Sequence, residues 1–186
     1  MIEGLNSEIV KTRSNAGSLE ESFVFTKHVM MEHYGKKISL AGLTRLYSPE
    51  GEEPEVKAAG PSILLIFSEL SCNVCQDEES QFARELAEEL GPNHVSAVIH
   101  SDNQRYARNY VRLNQANFPI YHIKNHNFLQ ENGLDPTPLV LFLDESDRVI
   151  FAHHPLPGKP ELSKPFHDFC RNYFGLTNAK DHNHGN

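Results

Sequence analysis

The sequence has no tryptophan, only three cysteines, and fewer cations than anions. Its 17 Lys and Arg face 25 Asp and Glu, a net charge of -8 with histidines neutral. Such a surface is repelled by nucleic acid and by anionic lipid, which counts against any phosphate-tracking role. An odd number of cysteines does not build a disulfide scaffold. Long apolar runs are missing as well: none is longer than Ile63 to Phe67, whereas a membrane-spanning helix needs about 20 residues. Met1 to Glu20 show neither the basic start nor the apolar segment of a signal peptide. What is present is 186 residues, 39% apolar and 23% charged, an ordinary composition for one soluble domain with one core.

Residues 1–22 read as a loose polar leader, 23–175 as the domain body and 176–186 as a polar tail. A turn at Tyr34-Gly35-Lys36-Lys37 lies between Phe23 to Met31 and Ile38 to Leu43, which predicts an N-terminal β-hairpin or edge pair. Tyr47 to Gly60, rich in Pro, Gly and Glu, reads as a solvated loop. Ile63 to Phe67 then has the pattern of a strand covered on both faces. Phe82, Leu86 and Leu90 recur at four-residue spacing before Gly91-Pro92, an amphipathic helix with a stop. Val95 to Ile99 predicts a strand, and Tyr106, Tyr110 and Leu113 a helix opening near Ser101 or Asp102. Phe118 to Tyr121 predicts a short strand, followed by a polar connection through Asn125, Asn127 and Asn132-Gly133. Leu139 to Leu143 and Arg148 to Ala152, separated by Asp144 to Asp147, have hairpin spacing. Phe166, Phe169, Cys170 and Tyr173 form one face of a closing helix.

The most informative feature is Cys72-Asn73-Val74-Cys75, which falls directly after a buried strand and at the start of a helix. The unpaired N–H groups and the dipole at a helix start favour an anion, so a depressed pKa is expected for Cys72. Cys75, one turn on and facing inward, is placed to resolve a mixed disulfide. Ser71 is the candidate N-cap. Cys170, on an apolar helix face, reads as core packing rather than as half of a zinc site.

Leu64 to Phe67, the cysteine pair, and Thr137-Pro138 ahead of Leu139 to Asp144 together resemble the thioredoxin fold. More narrowly, Tyr34 to Leu40, Phe118 to Tyr121 and the long central connection resemble the TlpA-type thiol-disulfide oxidoreductases and their redoxin relatives over about residues 23–175. The resemblance implies an α/β domain with a mixed central sheet flanked by helices and an N-terminal β-hairpin extension. It implies disulfide exchange with protein partners and an electron donor, in an extracytoplasmic setting. No bound cofactor is implied beyond a redox-active Cys72 to Cys75 disulfide. It makes Pro138 the proline beside the disulfide, with Asp135-Pro136 as a competing turn, and Glu78 a carboxylate that takes a proton from Cys75. Ser71, Asn73, Val74 and Thr137 would line the substrate groove. The chain departs from the family's usual Trp before the first cysteine and proline inside the pair, and has Ile66 where many relatives carry a polar or acidic residue.

Two other readings stay open. His153-His154 follows a strand that should return toward the cysteines, so Cys72, Cys75, His153 and His154 form an alternative ligand set for copper or zinc, as in a Sco-type metallochaperone. That type has three residues between its cysteines rather than two, and exposed loop histidines are the simpler reading. A redox-silent binding module on the same fold is the other.

Overall fold

The computed structural model describes residues 24–41, 43–49, 60–124, 127–134 and 138–176. The leader, most of the 47–60 loop, Asp135 to Thr137 and nearly all of the tail lie outside the described residues.

The hydrophobic pattern builds one six-stranded sheet. Its strands are β1 (Thr44–Tyr47), β2 (Ser62–Ser68), β3 (Val95–His100), β4 (Ile120–Ile123), β5 (Leu139–Leu143) and β6 (Val149–His153). The spatial order is β1-β4-β3-β2-β5-β6. β2, β3 and β4 run parallel, while β1, against β4, and β5, against β2, are antiparallel. β5 and β6 form the expected antiparallel hairpin, closed by Asp144, whose carboxylate accepts from the N–H groups of Ser146 and Arg148 at 2.8 and 2.9 Å.

Continuous apolar runs in β2 and β5 follow from helices covering both faces. Alternate residues of β2 sort into two cores. Ile63, Leu65 and Phe67 pack with Phe82 and Leu86 of α2 (Asn73–Leu90), Ala107 and Tyr110 of α3 (Gln104–Leu113), and Phe166 and Cys170 of α5 (Lys164–Tyr173). Leu64 and Ile66 face Val29 of α1 (24–33) and Phe128 and Leu129 of α4 (Asn127–Glu131). α2 ends at Gly91, where φ of +95° suits a residue without a Cβ and Pro92 bars continuation. α3 opens at Asn103, whose side chain caps Arg105 N at 2.9 Å, one or two residues beyond the expected start.

Among the described residues the expected N-terminal β-hairpin extension is not formed. Residues 24–33 are helical, with Thr26, Val29, Met30 and His33 turned inward at helical spacing. The turn at Gly35, with φ of +77°, docks instead on the start of β6: Gly35 N donates to Val149 O at 2.8 Å and Val149 N to Lys36 O at 2.9 Å. Lys37 makes an isolated antiparallel bridge to Arg148. The edge strand comes from Thr44–Tyr47 and pairs across the sheet with β4, a long-range partner that local alternation does not encode.

Candidate active site

The strand registers bring one end of the sheet together. Ser68 lies across from His100, His100 from Ile123, and Leu139 from Ile66. The carboxyl ends of β2, β3 and β4, the start of β5 and the N-termini of α2 and α3 therefore share this edge, where ligands of open α/β sheets bind.

β2 leads into a tight turn held by its own serines. Ser71 N donates to Ser68 O at 3.0 Å, Ser68 N donates to Ser71 Oγ at 3.0 Å, and the two hydroxyls are 2.9 Å apart. Ser71 thus fastens the turn and does not cap α2, contrary to the sequence expectation. The N-cap is Cys72 itself: its sulfur accepts from Cys75 N at 3.3 Å, while its carbonyl accepts from Gln76 N at 3.0 Å. The sulfur occupies the place that a Ser or Asp oxygen takes at other helix starts. Gln76, 2% exposed, locks the arrangement by donating to Ser68 O at 3.0 Å and accepting from the Tyr106 hydroxyl at 3.1 Å.

Cys72 is half-buried and Cys75 buried, and both are free. Burial first, then the neighbouring Cys72 sulfur and the charge of Glu78, push the Cys75 thiol up to about 12. The pair is therefore asymmetric: one sulfur at the mouth, one protonated behind it. Asn73, Val74 and Glu78 are exposed on the first turns of α2, and Glu78 reaches Cys75 through its charge. Pro138 is buried and immediately precedes β5, beside the end of β2 that feeds the turn. Thr137 and the competing Asp135-Pro136 turn lie outside the described residues.

The alternative metal ligands are not brought together. Among the described residues no group of three or more His, Cys, Asp or Glu could hold a metal ion. β6 does return to the cysteine end, with His153 across from Val140, but its imidazole is engaged elsewhere. Nor is His153 a solvated loop residue: at 1% exposure its Nε2 lies 2.8 Å from Ser163 Oγ and 3.7 Å from Glu79 Oε1. The half-buried His154 sets its ring 5.7 Å from that of Phe25.

Glu79 is the residue that sequence reasoning passes over. It sits one turn after Cys75 on the inward stripe of α2 with Phe82, Ala83 and Leu86, and is 1% exposed. Burial alone would raise its pKa, but His153 and His167, the latter 2.9 Å away, outweigh this and hold the carboxyl down at about 2. The available signal was phase: Glu79 lies three residues before Phe82 and four after Cys75, on the buried side of the helix, whereas Glu78 falls on the wet side. Near this cluster Cys170 is buried, and burial followed by the Glu79 charge raises its thiol pKa, consistent with an inert core cysteine.

Comparison with known proteins bears on the fold. No family model matches the chain, and no curated protein sequence does. Solved structures match it over most of its length. The protein assigned as thiol:disulfide interchange protein DsbE from Chlorobium tepidum superposes with a TM-score of 0.56 at 14% identity, covering 74% of this chain and 96% of that one. Peroxidoxin BcpB from Mycobacterium tuberculosis gives 0.53 at 14%, covering 75% and 97%. A thiol:disulfide interchange protein from Bacteroides sp. gives 0.53 at 9%, covering 81% and 95%. The fold is thioredoxin-like: a mixed α/β sheet of six strands with helices on both faces.

Proposed function

We propose that the protein is a TlpA-type thiol-disulfide oxidoreductase acting on partner proteins through Cys72 and Cys75. The observation that carries the reading is the N-cap geometry: the Cys72 sulfur, half open to solvent, accepts a helix N–H at 3.3 Å while the buried Cys75 stands one turn behind it. The thiolate is the attacking form in disulfide exchange, and a donor aimed at the sulfur stabilises that form.

In the reducing direction, the Cys72 thiolate attacks one sulfur of a partner's disulfide. A bond forms between the two sulfurs, the partner's bond breaks, and its second sulfur leaves as a thiolate. Cys75 then gives up its proton and attacks the Cys72 sulfur, closing the Cys72 to Cys75 disulfide and releasing the partner as a dithiol. Glu78, whose charge already weighs on the Cys75 thiol, takes that proton in this reading. In this reading Pro138 borders the groove, with Ser71, Asn73 and Val74 as its rim. An external dithiol must then return two electrons and two protons. No helix among the described residues is long and apolar enough to cross a membrane.

The test is Cys75→Ser, which removes the resolving sulfur. Incubated with a disulfide-bearing protein, this variant should accumulate a mixed disulfide through Cys72, visible on non-reducing gels and by mass. Cys72→Ser should accumulate none. Absence of any adduct in Cys75→Ser would favour a redox-silent binding module.

A further inference from the structure

We infer that the surface around Cys72 takes a cationic segment of a partner protein, with an apolar side chain next to the partner's reacting sulfur. The inference rests on the exchange reading above and names its substrate class.

Cys72 is flanked at two residues on either side by Leu70, 93% exposed, and Val74, 59% exposed. Leu70 is the most exposed large apolar side chain among the described residues. It is held out by the serine-fastened turn described above, so its display is built into the loop. Apolar surface fixed beside a reactive sulfur is surface that a partner can remove from water.

The charges around it have one sign. Glu69, Asp77 and Glu78 are exposed. Glu69 stands on the turn three residues before Cys72, and Asp77 and Glu78 on the first turns of α2, so loop and helix set acids on both sides of the pair, and Glu78 also acts on Cys75. Arg105 and Lys124 lie at this end of the sheet and are exposed, but they belong to α3 and to the end of β4, not to the turn and helix start that flank Cys72. With a net charge of -8 behind them, these acids draw in a Lys- or Arg-bearing segment and repel an anionic disulfide. That selectivity is screened by salt.

The test uses the full chain, reduced beforehand so that it supplies the two electrons itself. It is mixed with peptides whose central cysteine is capped by mercaptoethanol through a disulfide. Three flanks are compared: Lys-Leu-Cys-Leu-Lys, Glu-Leu-Cys-Leu-Glu and Lys-Ser-Cys-Ser-Lys. Hydroxyethyl disulfide is the uncharged reference. The first peptide should react at least about tenfold faster than the second, and the ratio should collapse in about 1 M salt, where the screening length is about 3 Å. Glu69→Lys with Asp77→Lys should also collapse it, each peptide rate being divided by that variant's own rate with the reference so that any change in the thiolate itself cancels. The third peptide should react more slowly than the first, and Leu70→Ser should remove that difference. Equal rates for the first two peptides, or a ratio that survives high salt, overturns the inference while the reference reaction still supports exchange. Failure of the reference itself overturns the exchange reading and this inference with it.

Discussion

Glu79 shows how one side chain can tie three elements together. A carboxylate on α2 meets His153 at the end of β6 and His167 on α5, with Glu79 and His153 shielded from water and His167 half-buried. Its pKa of about 2 lies below the ordinary value of 4.5, so the folded state favours the ionised form. The stabilisation is present above pH 4.5 and is lost as pH falls through about 2. The shift corresponds to about 3 kcal/mol. Glu79→Gln should therefore be less stable than the parent near pH 6, and the gap should narrow as denaturant unfolding is repeated from pH 5 down to pH 2. A gap that stays constant over that range would show that the carboxylate is not selectively stabilised by folding. At this scale the sequence was half legible. Cys72 and Cys75 announced themselves by spacing, whereas the meeting of the buried Glu79 and His153 with His167 depends on three elements distant in the chain. The fastening role of Ser71 was hidden because a cysteine, a poor N-cap by composition, took the cap.

Among the elements, the junction of β2, α2 and α3 determines how rigidly Cys72 is presented. Gln76 bridges the Ser68 carbonyl and the Tyr106 hydroxyl, so the turn bearing Leu70 and Cys72 is tied to two helices through one amide. Gln76→Ala leaves both partners without it and should cost about 1–2 kcal/mol in urea unfolding. Tyr106→Phe should cost less, and the double variant should cost less than the two losses added, because the groups share one bond. Strict additivity would mean that the bridge carries no stability. The elements most readable from sequence were those set by local pattern: the continuous run of β2, the apolar stripe of α2, the Asp144 turn between β5 and β6. Those misjudged were set by distant partners. Phe23 to Met31 reads as one arm of a hairpin beside the Gly35 turn, yet Val29 and His33 share one buried helical face, and β1 finds its mate in β4.

For the whole molecule, the consequence of the topology is that the strand order places α2 and the pair it carries at the converging end of the sheet. Both cores run beneath it, so the cysteines rest on a scaffold while the polar loops at that edge face solvent. The thioredoxin-like fold supplies the frame; whether the pair exchanges disulfides is a matter of its own chemistry. The most direct test is an equilibrium titration of purified protein in glutathione buffers of graded ratio, with the Cys72 to Cys75 disulfide quantified by mass after acid quenching. The account predicts one reversible two-electron transition, about 30 mV per tenfold change in the equilibrium. It should be abolished by Cys72→Ser or Cys75→Ser and unchanged by Cys170→Ser. A protein that forms no such disulfide at any ratio, or whose transition needs Cys170, would contradict the account.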